Sequence, residues 1–209
     1  MIDLSTLKSS DQNEAQALKS VNTPFVCLIP VGSWILGYPE LVENMSRWRF
    51  LASEMFFTRF PQSAESMTHY LLSHAIQNPR NILFMVSDES KKFLGHLGLK
   101  NIVGSIGEVD FVMKNPDVSS PRSMQNAIST LVNFAENELG ITELTLEVIS
   151  TNKPALNLYA KQGFVIEANH HLLRVTDGVL TNHVKVSKGL ANVNYTSVTM
   201  KLKIQESEI

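Results

Sequence analysis

Residues 144–164 read L-T-L-E-V-I-S-T-N-K-P-A-L-N-L-Y-A-K-Q-G-F, and the rest of the chain can be placed from this stretch. From Leu144 to Ile149, leucine and valine alternate with threonine, glutamate and isoleucine. A period of two predicts a strand that buries one face more deeply than the other. A polar turn at residues 150–152 ends this strand.

A short helix is predicted directly after the turn. Pro154 stands in the first helical turn, where proline is well tolerated, and Gly163 stands at the end, where a left-handed cap favours glycine. Phe164 then opens another strand. This succession places Asn152 at the end of one strand and Tyr159 on a helix that faces back toward it.

The composition predicts a folded domain with no charge bias toward nucleic acid. The chain has 209 residues, of which 44% are hydrophobic and 18% charged, and its formal net charge is -2 at pH 7. It is most simply one domain, residues 24–209, preceded by a polar arm, residues 1–23. Neither nucleic acid nor an anionic membrane is expected as a partner. The first residues lack an apolar signal core and no window approaches a membrane span, so a cytoplasmic protein is expected.

Helices and strands interleave along the chain, which indicates an α/β protein. Predicted strands cover residues 25–31, 82–87, 93–99, 108–113 and 198–204, and predicted helices cover residues 40–50, 63–78 and 125–139. The single cysteine, Cys27, lies in the first apolar run and is predicted to be a buried core residue. Residues 170–195 are long for a hairpin connection, so they either fold over the site or extend a sheet edge.

Two carboxylates, Glu108 and Asp110, share one face of the strand at residues 108–113. They are either solvated acids on an exposed edge or a pair whose proton affinity is raised by partial burial and mutual repulsion, as a general base requires. The residues alone leave both readings open.

Arginines and aromatic residues cluster between positions 47 and 60, in the segments R-W-R and F-F-T-R-F. The cluster is either core with a solvated rim or the wall of a substrate pocket. His69 and His74 follow on the next predicted helix, but no acid or cysteine stands at metal-ligand spacing from them, so no metal site is expected.

A candidate anion site precedes the helix at residues 125–139. Ser120 is a predicted cap with Pro121 at the first helical position. The unpaired amides of a first helical turn can bind an anion.

Two of these segments resemble the signature of the GNAT acyl-CoA N-acyltransferases. N-K-P-A-L-N-L-Y-A-K-Q-G-F is similar to the family's asparagine after the fifth strand, its A-x-x-L-Y helix and its closing G-F. F-V-M-K-N-P-D-V-S-S-P-R-S-M-Q-N-A-I-S-T-L-V-N-F-A-E-N-E-L-G is similar to its fourth strand, cofactor loop and third helix. The resemblance implies a central mixed, mostly antiparallel sheet, splayed between its fourth and fifth strands, with helices on both faces.

The resemblance also implies a ligand and a set of site residues. Acetyl-CoA, or another short acyl-CoA, is expected in the splay, bound by Phe111, Val112, Met113, Ser119, Ser120, Arg122, Ser123, Met124 and Asn152. Tyr159 is expected to protonate the leaving thiolate, and Glu108 or Asp110 to act as the base, through water. The alternative for Tyr159 is a packed ring whose hydroxyl bonds outward.

A narrower resemblance concerns the acceptor. The segments F-L-G-H-L-G-L-K-N-I and G-E-V-D-F-V-M, with R-W-R, F-F-T-R-F and I-L-F-M-V upstream, are similar to acyltransferases of surface-polysaccharide biosynthesis. The expected partner is therefore a small-molecule amine, a nucleotide-linked amino sugar, with Arg47, Trp48, Arg49 and His96 as substrate-side groups. A protein, peptide or other small amine, and a non-catalytic GNAT-fold module, stay open, as does the oligomeric state, with a homodimer as one option.

The cofactor loop departs from the family pattern R/Q-x-x-G-x-G/A. The matching positions run from Ser119 to Met124, and Arg122 and Met124 fill the two glycine positions. Close approach of the backbone to a pyrophosphate is therefore in doubt. Arg122, together with the Ser119 and Ser123 hydroxyls, is the expected compensation.

Overall fold

The computed structural model describes residues 4–9, 17–20 and 24–204. The helices are α1 (Leu4–Ser9), α2 (Pro39–Leu51), α3 (Ala64–Tyr70), α4 (Ser123–Asn137) and α5 (Lys153–Ala160). The strands are β1 (Leu18–Lys19), β2 (Cys27–Pro30), β3 (Thr58–Arg59), β4 (Ile82–Ser87), β5 (Phe93–Val103), β6 (Ile106–Lys114), β7 (Glu143–Ile149), β8 (Val165–Asp177), β9 (Leu180–Val186) and β10 (Thr196–Lys203).

All of these strands belong to one sheet. Its order is β1-β2-β4-β5-β6-β7-β10-β8-β9-β3, and across the described residues β6 and β7 are the one parallel pair. Because β6 leads to β7 through the crossover helix α4, the two strands can run in the same direction. The prediction of a mixed, mostly antiparallel sheet is confirmed.

Helices cover both faces of the sheet, as predicted. On one face, the apolar stripe of α4 packs on β5, β6 and β7, with Ile128 and Leu131 fully buried. On the other face, α2 and α3 bury Met45 and Met67 against β4 and β6. The functional site therefore lies between the sheet and the helices that cover it.

The described parts of the predicted arm pack on the domain. Leu4 and Leu7 of α1 are buried in the same cluster as α4, and β1 pairs with β2. Residues 1–3, 10–16 and 21–23 of the arm lie outside the described residues. Cys27 is half-buried, so the prediction of a buried cysteine was wrong in degree: it stands at the start of β2, where covering is incomplete.

Two local predictions need correction. Helix α4 begins at Ser123, and its N-cap is Arg122 in the left-handed region, at φ 64°. The predicted Ser120 cap was therefore wrong, since residues 120–122 form a turn before the helix. The helix predicted from residue 63 changes at Leu71 into a π-helical turn that ends at Ile76.

Residues 170–195 extend the sheet edge. β8 and β9 form a hairpin, and β9 pairs with β3, which lies between α2 and α3. His183 on β9 contacts the Phe57 carbonyl through Nδ1 at 2.8 Å and the Tyr195 hydroxyl through Nε2 at 2.7 Å. The hairpin therefore fixes the segment that runs between α2 and β3.

Candidate active site

A gap between β6 and β7 forms the first cavity. The two strands pair only over Ile106–Glu108 and Glu143–Thr145, and beyond these residues they diverge. A cavity of about 350 Å³ fills the divergence. Its lining includes Val109, Asp110, Val112, Met113, Lys114, Met124, Glu147, Val148, Asn152, Pro154, Ala155, Leu158 and Tyr159. The predicted splay is thus present, and we call this space the β6–β7 cavity.

A second, larger cavity adjoins the first. It has a volume of about 860 Å³ and lies between α2, α3 and the sheet. Its lining includes Arg49, Phe60, Glu65, Ser66, His69, Tyr70, His74, Asn81, Lys100, Phe111 and Leu180. Phe56, Phe57 and Asp110 line both cavities. We call it the α2–α3 cavity, and Asp110 marks the junction between the two.

The junction is shaped by a bulge in β6. Asp110 pairs with Gly98 and Met113 with His96, so two residues of β6 oppose the single residue Leu97 of β5. Phe111 has φ 59°, a left-handed conformation that is strained for a bulky residue. Such strain at a cavity wall is typical of functional sites.

Two side chains hold this bulge. The Phe111 amide donates to Asp110 Oδ1 at 2.6 Å, and His96 Nδ1–H donates to the Phe111 carbonyl at 2.5 Å. Burial lowers the pKa of His96 to about 4, although the Phe111 carbonyl opposes the shift. His96 is therefore neutral at pH 7, with its proton on Nδ1. It lines neither cavity, which places this predicted substrate residue behind the wall and not on it.

The backbone donors that face the gap follow from strand alternation. The Asn115 N–H donates to the Leu94 carbonyl on β5. Amides two residues apart on a strand point the same way, so the Met113 amide also points toward β5. The amides of Val112 and Lys114 therefore point toward β7. Since pairing with β7 has ended at Glu108, these amides face the β6–β7 cavity. The predicted Phe111 amide is instead occupied by Asp110.

Tyr159 reaches the gap from α5. Its side chain is only 6% exposed and packs edge-to-face on Phe164, with the ring centroids 6.0 Å apart. Burial, and secondarily the negative charge of Asp110, raise the pKa of the Tyr159 hydroxyl above its usual value. The hydroxyl is therefore protonated at neutral pH and lies in the wall of the cavity.

Asn152 caps α5 at the end of β7. Its Oδ1 accepts from the Ala155 amide at 3.2 Å, and the residue lines the β6–β7 cavity. Because the cap uses the oxygen, the side-chain NH₂ is the group left to donate to a ligand. Gly163 has φ 87°, as its predicted left-handed role requires.

A lysine lies between the two acids of β6. Lys100 Nζ is 3.1 Å from Glu108 Oε1 and 2.5 Å from Asp110 Oδ2. Burial alone would lower the pKa of the Lys100 ammonium, but Asp110 and Glu108 raise it above its usual value. The carboxylates are thus an ion-paired cluster, and the mutual repulsion invoked from the sequence is offset by this cation. Neither of the two interpretations of Glu108 and Asp110 from the sequence included an ion pair with a lysine.

The cofactor loop leads directly into α4. Ser123 is fully buried and its hydroxyl donates to the Ser120 carbonyl at 2.8 Å, so the expectation that it donates to a ligand is wrong. The first helical bond runs from Asn126 N–H to the Arg122 carbonyl at 2.9 Å, and Ser123 N–H donates to the Ser120 carbonyl at 3.5 Å. The amides of Met124 and Gln125 are the first-turn donors that point out of the helix end. Met124 lines the β6–β7 cavity.

Arg122 occupies a conformation that suits glycine. Its φ of 64° is the left-handed region, which glycine enters without steric cost. The family pattern has its first glycine at this position. The chain therefore adopts a conformation here that would suit that glycine, and it carries an exposed arginine side chain at the position. Ser119 and Ser120 precede it in the turn.

The three residues of the R-W-R segment separate on α2. Arg47 forms an exposed ion pair with Asp117, after β6, and Trp48 is buried in the core beneath α2. Neither lines a cavity, so their placement does not support the predicted substrate contacts. Of these three residues, Arg49 is the one that lines the α2–α3 cavity.

Several lining residues were not identified from the sequence. Glu147 on β7 lines the β6–β7 cavity and is paired with Lys185 of β9. The alternation in residues 144–149 already put its side chain opposite the buried leucines, which was the available signal. The sequence identified Phe56 and Phe57 only as members of an aromatic cluster, because no local sequence pattern indicates that their side chains line both cavities.

Two features bear on ligands and environment. Among the residues that the structure describes, no three histidine, cysteine, aspartate or glutamate side chains converge as a metal site would require. Within the described ranges, no helix has the length and apolar character needed to cross a bilayer.

The fold has counterparts among known proteins. Residues 37–165, more than half of the chain, match the family model for the acetyltransferase (GNAT) domain. No curated protein matches the sequence.

Solved structures agree with the family model. A probable GNAT-family acetyltransferase from Chromobacterium violaceum is 19% identical, with a TM-score of 0.65 over 94% of this chain and 89% of that one. Spermidine N-acetyltransferase from Vibrio cholerae, in complex with CoA and spermine, is 18% identical, with a TM-score of 0.64 over 86% of this chain and 95% of that one. A dodecameric structure of the Vibrio cholerae enzyme is 17% identical, with a TM-score of 0.59 over 85% and 93%. The chain therefore belongs to the GNAT acetyltransferase family, whose acyl donor is acetyl-CoA.

Proposed function

We propose that the chain transfers an acetyl group from acetyl-CoA to the primary amine of a small molecule. The observation that carries the proposal is the junction at Asp110. Tyr159, whose hydroxyl is protonated, lines the β6–β7 cavity on one side of Asp110. The larger α2–α3 cavity, which carries polar groups, opens on the other side of Asp110. A transferase needs this division, because donor and acceptor must reach one point from different directions.

The residues present fit the donor. The gap supplies the Val112 and Lys114 amides and the Asn152 NH₂ as donors, which suits the amide-rich pantetheine arm. The first turn of α4 and Arg122 would hold the pyrophosphate. When bound, acetyl-CoA supplies an activated thioester; the chain's own groups then supply hydrogen bonds and protons.

Proton transfer is assigned to two side chains. Tyr159 Oη holds a proton in a buried site and would give it to the leaving sulfur. The attacking amine must lose a proton, and Asp110 would take it, through water, because Asp110 lines both cavities at their junction. Glu147 is the second candidate base, since it lines the same cavity.

The acceptor is assigned more finely as a nucleotide-linked amino sugar. This rests on the resemblance of the strand and R-W-R segments to acyltransferases of surface-polysaccharide biosynthesis and on the size of the α2–α3 cavity, about 860 Å³, with aromatic walls. The Vibrio cholerae neighbours bind or act on polyamines, which makes spermidine the competing acceptor. Peptide amines form the third class.

A thiol-release assay separates these acceptors. The chain is incubated with acetyl-CoA and, in turn, UDP- and dTDP-linked amino sugars, spermidine and lysine-containing peptides. Turnover of an amino-sugar nucleotide well above the rate with spermidine supports the assignment. Turnover of spermidine or peptides alone contradicts the acceptor but keeps the acetyltransferase.

The altered loop favours one alternative, a GNAT-fold module without activity. Arg122 and Met124 stand where the family has glycine, and Met124 narrows the donor cavity. A thermal-shift titration with acetyl-CoA decides this point, since a ligand that binds only the folded chain raises its melting temperature. Absence of any shift at saturating concentrations would contradict catalysis.

A further inference from the structure

The charge pattern of the α2–α3 cavity indicates what kind of amine it accepts. Its charged lining, histidines aside, consists of two cations, Arg49 and Lys100, and two carboxylates, Glu65 and Asp110. A pocket for a polycation would be expected to carry an excess of carboxylates. With Lys100 paired to Asp110, one cation and one carboxylate remain in the lining, so it carries no such excess.

Local pairing removes one cation from consideration. Lys100 is held by Glu108 and Asp110, so its charge is already offset. Glu65 is exposed at the cavity rim, where water solvates its charge. Arg49 is the remaining cation, and it is half-buried on α2.

No carboxylate in the described part of the chain forms an ion pair with Arg49. Its guanidinium instead lies over three aromatic rings, 4.1 Å from the Phe56 centroid, 4.8 Å from Phe60 and 4.9 Å from Tyr70. One N–H donates to the Thr58 carbonyl at 3.1 Å. Aromatic faces orient a guanidinium but do not neutralise it. The Tyr70 hydroxyl is a further hydrogen-bond partner of the guanidinium. A guanidinium has five N–H donors, so others are kept for a ligand, and the planar fork matches a carboxylate or phosphate.

We propose that Arg49 is a specificity residue that binds an anionic group, carboxylate or phosphate, on the acceptor amine. The inference rests on the proposed function, since it describes the acceptor side of the same site. The aromatic cage fixes the guanidinium plane, and the junction at Asp110 receives the amine end. The acceptor class is therefore a zwitterionic or phosphorylated amine, and a simple amine or polyamine is a poor substrate.

Arg47 supplies a matched control. It lies on the same helix, two residues earlier, but it pairs with Asp117 outside both cavities. Removing either guanidinium changes the net charge equally. Only Arg49 should alter acceptor recognition.

The test compares binding as well as turnover. Titration calorimetry measures glucosamine 6-phosphate, glucosamine, a free amino acid, its amide, and spermidine, each against the wild type and the Arg49→Gln, Arg49→Lys and Arg47→Gln variants. We expect the phosphate-bearing or the carboxylate-bearing amine to bind roughly 10- to 100-fold more tightly than its uncharged match. Arg49→Gln should abolish that preference, Arg49→Lys should keep part of it, and Arg47→Gln should leave it intact. The two anionic arms identify which group is the natural one.

The outcomes separate this proposal from the proposed function. Binding without thiol release would contradict acetyl transfer and leave the anion site supported. Equal binding of charged and uncharged matches, tighter binding of spermidine, or an unchanged preference in Arg49→Gln would overturn the anion site. Unaltered acetyl-CoA affinity in each variant confirms that the fold of the donor side is intact, so a loss caused by misfolding is recognised.

Discussion

The two cavities that meet at Asp110 are built in different ways. The β6–β7 cavity is made by backbone: two strands that stop pairing, a bulge, and the ends of two helices. The α2–α3 cavity is made by side chains of two helices and the loop between them. Backbone features of a fold are shared within a family, whereas side chains on packed helices can change independently. The first cavity is therefore expected to be common to the family, and the second is the one proposed to select the acceptor.

The largest effect is expected at Tyr159, on the donor side. Tyr159→Phe removes the hydroxyl and keeps the ring on Phe164, so kcat should fall by roughly 10²- to 10⁴-fold while the Kd for acetyl-CoA stays nearly unchanged. Steady-state kinetics and calorimetry measure the two quantities. Tyr195→Phe is the control, because its hydroxyl contacts His183 away from the gap. Wild-type turnover in Tyr159→Phe would remove the tyrosine from its role.

The junction itself is tested by exchanging carboxylates. Asp110→Asn should lower kcat/KM by on the order of 100-fold, because the amide cannot accept the proton of the attacking amine. Glu147→Gln, on the opposite strand of the gap, should have a much smaller effect. The reverse ranking would make Glu147 the base and would move the proton-accepting group from the junction into the donor cavity.

His96 tests how the wall between the cavities is supported. Its folded pKa, about 4, lies below the value of about 6.5 for an unfolded histidine, so the unfolded chain binds the proton more readily. This histidine therefore contributes stability that is full above pH 6.5 and is lost as pH falls toward 4, by about 3 kcal/mol.

The variant His96→Gln can still donate to the Phe111 carbonyl but does not titrate. Denaturant unfolding at several pH values should show that the difference between wild type and variant changes by about that amount between pH 6.5 and 4. Parallel stability curves would mean that the pKa of His96 is the same in the folded and the unfolded chain. His96 would then not be buried behind the bulge.

The smallest effect is expected at Arg122. Arg122→Gly relieves the left-handed backbone and should raise the free energy of unfolding by about 1 kcal/mol. Arg122→Ala also removes the guanidinium but keeps the strain, so it should give no such gain. Equal stabilities of the two variants would show that the loop carries no strain. If Arg122 holds phosphate, both should also weaken the salt dependence of acetyl-CoA binding.

Much of the donor side could be predicted from the sequence. The alternation in residues 144–149, Asn152 at the strand end, and Tyr159 on a helix after Pro154 depend on neighbours in the chain, and local patterns report such features well. The bulge at Phe111 could not be predicted, because it depends on how β6 pairs with β5. The Lys100 bridge between Glu108 and Asp110 was missed for the same reason: it joins two strands.

The acceptor side was predicted poorly because burial is decided by packing. In R-W-R, three adjacent residues reach the surface, the core and a cavity, respectively. A helix turns by about 100° per residue, so adjacent residues face different directions. A shift of one residue would change which of them is exposed, buried or cavity-lining. His96 was expected beside the substrate, but its side chain is buried behind Phe111, and this depends on the pairing of β5 with β6.

A crystal structure of the chain with CoA tests the assignment of the donor cavity most directly. We expect the pantetheine arm to lie between β6 and β7, beside Val112 and Asn152, with its sulfur facing Tyr159 and its pyrophosphate at Arg122. The open end of the α2–α3 cavity should stay free for the acceptor. CoA bound elsewhere, or a gap that remains closed to it at saturating concentration, would contradict the assignment of the β6–β7 cavity to the donor.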